Sequence, residues 1–235
     1  MTRITSRLVS RRRVLQGVAL AAFAPLLLAA ASQPAAALTE PEDLVERARL
    51  SLLRLMSHRD TPELKDYMGR ARGVVIVPAL IKGGFIIGGE GGAGVMLVKG
   101  SDGSWSSPTF YTLAAGSIGL QIGGQVSEVV FALMSDGAVD AILSNNAKLG
   151  ADLSVAIGPM GKGVEASTTT NLNADVYAFS TAVGAFAGGA LEGAAFIDRQ
   201  SYNDEYYNAY APARAIVIDR KFYNGHADPL RAALP

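Results

Sequence analysis

The sequence predicts an α+β domain: a strongly curved, mostly antiparallel sheet or small β-barrel, flanked by helices at the N-terminus, middle and C-terminus. Three observations predict it. Helical periodicity is strongest just after residue 40 and then gives way. From residue 73 the chain becomes a series of short β-branched and aromatic runs. Those runs carry glycines in their interiors, part of a total of 26 in 235 residues. Interior glycine marks a bend, a bulge or a close backbone approach, and a small barrel needs all three. A hydrophobic content of 49% against 18% charged residues supplies a core.

The first 37 residues read as an export signal. Arg11, Arg12 and Arg13 follow Ser10, an apolar stretch runs from Gly17 to about Ala31, and Ala35-Ala36-Ala37 supplies small residues for cleavage after Ala37. The arginine pair before Val14 and Leu15 resembles a twin-arginine signal, the route that carries folded proteins. The apolar run holds Pro25 and is shorter than the roughly 20 residues a spanning helix needs. The expected location is therefore periplasmic or exported, peripheral to a membrane. The remainder, residues 38–235, is read as one domain.

Along that domain, Val45, Ala48, Leu52, Leu55 and Met56 give a helix over 41–57. A second helix is expected after Thr61 as cap and Pro62 in its first turn, with Leu64 and Met68 inward. Strands are expected at 73–80, 85–89, 94–99, 104–113, 117–125 and 126–134, with a turn at Ser101-Asp102-Gly103. Asp136 is expected to cap a helix to Leu143 with Ala138, Val139 and Ile142 inward. Strands at 152–158, 163–170 and 174–180 follow, then a small apolar stretch over 182–197 and a partly helical, tyrosine-rich tail.

Charge and residue usage narrow the function. Residues 1–37 hold five of the 21 basic residues and no acid, so the rest carries 16 basic against 21 acidic, a formal −5. That sign disfavours general nucleic-acid binding. With no cysteine there is no disulfide, thiolate nucleophile or Cys-ligated metal. His58 and His226 lie outside any metal-ligand spacing, and Gly158–Gly163 lacks the first glycine and the Ser/Thr of a phosphate loop. Gly83–Gly94 lacks the strand–turn–helix setting of a dinucleotide fingerprint. Asp136 and Asp140 share a helix face, where capping is the expected role. No enzyme activity, cofactor or metal is expected.

The order of motifs resembles the SYLF domain family. The resemblance rests on Ala71-Arg72-Gly73-Val74-Val75-Ile76-Val77-Pro78, the glycine-rich Lys82–Val95, Gly103-Ser104-Trp105-Ser106-Ser107-Pro108, Gly116–Gly123, Leu149–Pro159 and Phe186–Gly193. It departs at Asn208, where the family often has Gly, and in lacking the cysteine that anchors many bacterial members. The resemblance implies a strand at 73, a glycine-rich hairpin after it, and binding to phospholipid or a membrane surface. Actin, a partner of some fungal members, is not expected for an exported protein. Lys82 and Lys162, beside glycines in expected turns, together with Arg72, Arg47, Arg49 and Arg54, are the candidate lipid-binding residues. The arginines of helix 41–57 would meet headgroups while its apolar face enters the interface. The alternative is a structural or protein-interaction module of the envelope without direct lipid binding.

Overall fold

The computed structural model describes residues 37–144, 147–158, 173–180, 191 and 193–235, without the side chains of 83–88 and 117–124. The expected signal peptide, the strand at 163–170, Lys162 and most of 182–194 lie outside the described residues.

Helix α1 spans Glu40–Ser57. Thr39 caps it: its Oγ1 accepts from the Glu42 amide while the Glu42 carboxylate accepts from the Thr39 amide. Of the predicted inward stripe, Val45, Ala48, Leu52 and Leu55 are buried and Met56 is partly buried, and Leu44 joins them. Helix α2 spans Leu64–Arg70, with Leu64 and Met68 buried. Thr61 does not cap it; its hydroxyl donates to the Leu55 carbonyl and closes the end of α1 instead.

The expected separate strands are arms of two long ones, β1 (Gly73–Val98) and β2 (Thr109–Leu133), antiparallel from Gly73↔Leu133 to Met96↔Thr109. β1 doubles back on itself. The Lys99 amide donates to the Arg72 carbonyl at 2.8 Å, and a Cβ on Gly94 would stand 2.8 Å from the Ile76 carbonyl oxygen. Residues 72–79 therefore run beside 92–99, and the chain reverses between them without leaving the ladder. Pro78 falls where two residues of β1 oppose one of β2, a bulge between Val77 and Leu80 that accommodates the missing donor.

Strands β3 (Val155–Ile157), β4 (Val176–Ser180) and β5 (Ala195–Asp198) add to the sheet. β4 and β5 pair antiparallel with β2, and β3 pairs parallel with β4. Counted arm by arm among the described residues, the sheet is seven strands wide and curls into a half-barrel. Helix α3 (Asp136–Leu143) follows β2, and α4 (Gln200–Tyr207), α5 (Ala213–Val217) and α6 (Asp228–Ala233) form the tail. Ser135, not Asp136, caps α3, accepting from the Ala138 amide at 3.1 Å.

Both sheet faces are covered. One carries Val75, Val77, Met96, Phe131 and Leu133 against Val139, Ile142, Phe196, Ile216 and Val217. The other carries Val74, Ile76, Val95, Leu97 and Val130 against α1, α2, Tyr206 and Leu230. Burial on both sides explains why 73–80 reads as a continuous apolar run with no alternation. The tail is pinned by the Trp105 indole, which donates to the Pro235 carbonyl at 3.0 Å, and by Arg231 to the Trp105 carbonyl at 3.0 Å. Asn208 ends α4 in the left-handed region at φ 51°, a conformation asparagine tolerates in place of glycine.

Candidate functional site

Each candidate arginine faces a carboxylate. On α1, Arg47 pairs with Asp43 at 2.8 Å, Arg49 with Glu46 at 2.6 Å, and Arg54 with Glu128 of β2. Arg72 pairs with Asp136 at 2.8 Å, and Asp140 pairs with Arg214 at 2.5 Å, so the two aspartates of α3 serve ion pairs in place of capping. Lys82 sits in the ladder of β1 opposite Gln125 and not in a turn. The apolar face of α1 cannot enter a membrane while the domain is folded, because it is the face that covers the sheet.

A different apolar surface is exposed. Leu50 and Leu53, 38% and 40% exposed, lie on the outer side of α1 between Arg47 and Arg54. Ile81 and Val126, cross-strand partners, are 57% and 64% exposed. Glu128 shares the face of Val126, two residues along β2, and accepts from both Ser51 and Arg54. The helix thus docks next to the exposed end of the ribbon. Exposed pairs such as Arg47–Asp43 contribute only about 0–1 kcal/mol, so a phosphate can exchange for the carboxylate at little cost. Leu50 and Leu53 fall off the inward spacing of α1, which is the sequence signal that identifies them.

Behind Lys82 lies Glu90, 5% exposed, with no hydrogen-bond partner for Oε1. Burial raises its carboxyl above the usual range, and the charge of Lys82 offsets part of that. A raised folded-state pKa means that the native protein holds this proton more tightly than the unfolded chain. Its contribution is then favourable at acidic pH and is lost as pH rises from the ordinary carboxyl value through the raised one. Glu90→Gln is expected to raise stability at pH 7 and leave it nearly unchanged at pH 4, read by urea denaturation at both pH values.

Of the tyrosines, Tyr206 is buried and Tyr207 donates to the Pro108 carbonyl at 2.6 Å, so both cover the sheet; Tyr210 is exposed. Among the described residues there is no group of three or more His, Asp or Glu that could hold a metal ion, and no helix is long and apolar enough to cross a membrane.

The chain is similar to known proteins over most of this domain. The sequence model of the Ysc84 family, described as Las17-binding protein actin regulator, matches residues 114–235. LAS seventeen-binding protein 3 of Saccharomyces cerevisiae is 33% identical over 168 residues, covering 70% of this chain and 36% of that protein. SH3 domain-containing YSC84-like protein 1 of Homo sapiens is 36% identical over 141 residues, 60% of this chain and 41% of that protein. Protein YSC84 of Saccharomyces cerevisiae is 34% identical over 164 residues, 68% and 35% respectively. The chain spans about two fifths or less of the length of these relatives. The match over half of its length places it in a family of binding and regulatory proteins: the chain belongs to the Ysc84, or SYLF, family.

Proposed function

We propose that this domain is a non-enzymatic phospholipid-binding module, exported under the direction of residues 1–37 and seated on an anionic membrane surface of the cell envelope. The observation that carries the reading is the pair Leu50 and Leu53, exposed on the outer face of α1 between Arg47 and Arg54. Apolar side chains bracketed by cations are the pattern of an interfacial helix. Ile81 and Val126 extend the apolar area, and Lys82 adds charge near the same end of the ribbon. Each basic residue near an anionic leaflet contributes about 1 kcal/mol, and each half-exposed leucine a similar amount.

Co-sedimentation of residues 38–235 with phosphatidylglycerol vesicles and with phosphatidylcholine vesicles, at low and high salt, tests this. Binding to the anionic vesicles that weakens with salt is expected. Leu50→Glu with Leu53→Glu should weaken it at least about tenfold, from about 1 kcal/mol lost per side chain. Lys82→Glu should weaken it about tenfold. Unchanged binding in the double leucine variant would remove this surface.

A second reading is a protein-interaction module of the envelope. It is favoured by the relatives' names, which refer to Las17 binding and to SH3 domains. It predicts no vesicle binding. Actin co-sedimentation is its direct control, and the export proposal expects no actin in the pellet beyond background.

A further inference from the structure

A pocket of about 320 Å³ opens where α2 ends and α3 and β4 begin, lined by Tyr67, Arg70, Ser135, Asn173, Asp175 and Tyr177. It lies far from the exposed leucines' end of the ribbon. Gly73, just after Arg70, pairs with Leu133, just before Ser135, whereas Ile81 pairs with Val126. Eight residues of strand separate the two places, roughly 25 Å measured along the strand.

Arg70 is exposed, and its guanidinium is held over the Tyr67 ring at 4.6 Å. Tyr67 is in turn held by Tyr177 at 4.6 Å and by Phe179 at 5.4 Å between ring centroids. The hydrogen bond Arg70 makes is long, from Nε to the Asp66 carbonyl at 3.4 Å. Among the described residues neither of its Nη groups has an acceptor, whereas nearby Arg72 is closed by Asp136. In the same pocket lining, Asp175 Oδ2 accepts from the Ser154 amide at 3.0 Å and from the Ser154 hydroxyl at 2.6 Å, which fixes the carboxylate in place. The Asn173 amide makes no hydrogen bond among the described residues.

Among the described residues the pocket therefore combines an oriented guanidinium fork that meets no carboxylate with a fixed carboxylate and an amide that makes no hydrogen bond. The fork matches a phosphate in bidentate fashion. The carboxylate repels a second negative charge and attracts a hydroxyl or ammonium. We propose that this pocket binds a monoanionic phosphodiester that carries an ammonium or hydroxyl arm, Arg70 taking the phosphate and Asp175 facing the arm. A volume near the low end of ligand pockets, about 300–1,000 Å³, admits such a head and a glycerol unit without acyl chains. The same chemistry comes from a phospholipid headgroup or from a free glycerophosphodiester.

The test is titration of the protein with sn-glycero-3-phosphoethanolamine, followed by amide chemical shifts, and repeated in the presence of phosphatidylethanolamine vesicles. Saturable shifts at Tyr67–Arg70 and Asn173–Tyr177 are expected. Arg70→Gln should weaken binding at least tenfold without moving the melting temperature, and Arg70→Lys should also weaken it, because an ammonium lacks the fork. No saturable shift, or equal affinity in Arg70→Gln, would overturn the proposal. Competition by vesicles would name the lipid headgroup as the source, and binding without competition would name the free diester. Leu50→Glu with Leu53→Glu should leave diester binding unchanged, so the pocket and the membrane surface stand or fall separately.

Discussion

Gly92→Val is expected to lower the stability of the domain by about 3 kcal/mol or more, enough to leave much of it unfolded at 37 °C. A Cβ at Gly92 would overlap the Ala79 carbonyl oxygen and stand 2.8 Å from Cγ1 of Val77. The first neighbour is backbone of the facing arm of β1, so it has no rotamer through which to yield. Val77 is buried and equally confined. The clash can be relieved only by parting the arms. Gly116 is the control: a Cβ there meets nothing within 4 Å, and Gly116→Ala should change stability by less than about 1 kcal/mol. Urea denaturation of the three proteins checks the pair, and equal loss at both positions would sink the close-approach account.

Asn203→Ala is expected to cost about 3 kcal/mol. Asn203 is fully buried on α4, and its Oδ1 accepts from the Thr109 hydroxyl at 3.0 Å and from the Phe110 amide at 3.1 Å. Truncation leaves two buried donors unmet, each costing about 1–3 kcal/mol. The amide Nδ2 donates to Asp198 at 3.3 Å. Burial already holds the Asp198 carboxyl above its usual range. Asn203→Asp keeps the acceptor but sets a second carboxylate beside it. Like charges so placed raise the folded-state pKa values further. The Asp variant should thus be weak at pH 7 and recover strongly as pH falls toward 5, whereas the Ala variant, which leaves Asp198 as a single raised carboxylate without its Asn203 donor, should recover less. Thermal melts across that pH range separate the two; parallel melting curves would mean that Asn203 does not face Asp198 as described.

The inward stripe of α1, the buried positions of α2 and α3 and the turn at Ser101-Asp102-Gly103 were legible because each is a local pattern. The caps were less so. Thr39 with Glu42 carries a visible capping-box signature, but Thr61 and Asp136 had equally suitable chemistry and were recruited elsewhere, to the Leu55 carbonyl and to Arg72. Within the described residues the expected strands at 73–80, 85–89, 94–99, 117–125 and 126–134 fall on β1 and β2 but were divided where the chain is continuous. Interior glycines read as bends or close approaches, and at Gly92 and Gly94 they let two arms of backbone approach, but the ladder continues through the stretches that separated the expected strands. The candidate site was legible only in part. The arginines of α1 were visible as cations, yet their carboxylate partners come from the opposing strand as well as from the helix itself.

The sequence by itself determined the α+β class, the family and the set of side chains able to form a core, because these depend on composition, period and motif order. Tertiary structure alone decided which face of α1 is covered, which cations are paired, and that Leu50, Leu53, Ile81 and Val126 remain outside. Among the described residues it also leaves Arg70 without a carboxylate beside a pocket while closing Arg72 with one. The reason is range: periodicity acts over a few residues, whereas an ion pair such as Arg54–Glu128 joins groups 74 positions apart. Only the curled sheet that brings α1 across β2 fixes which of them meet.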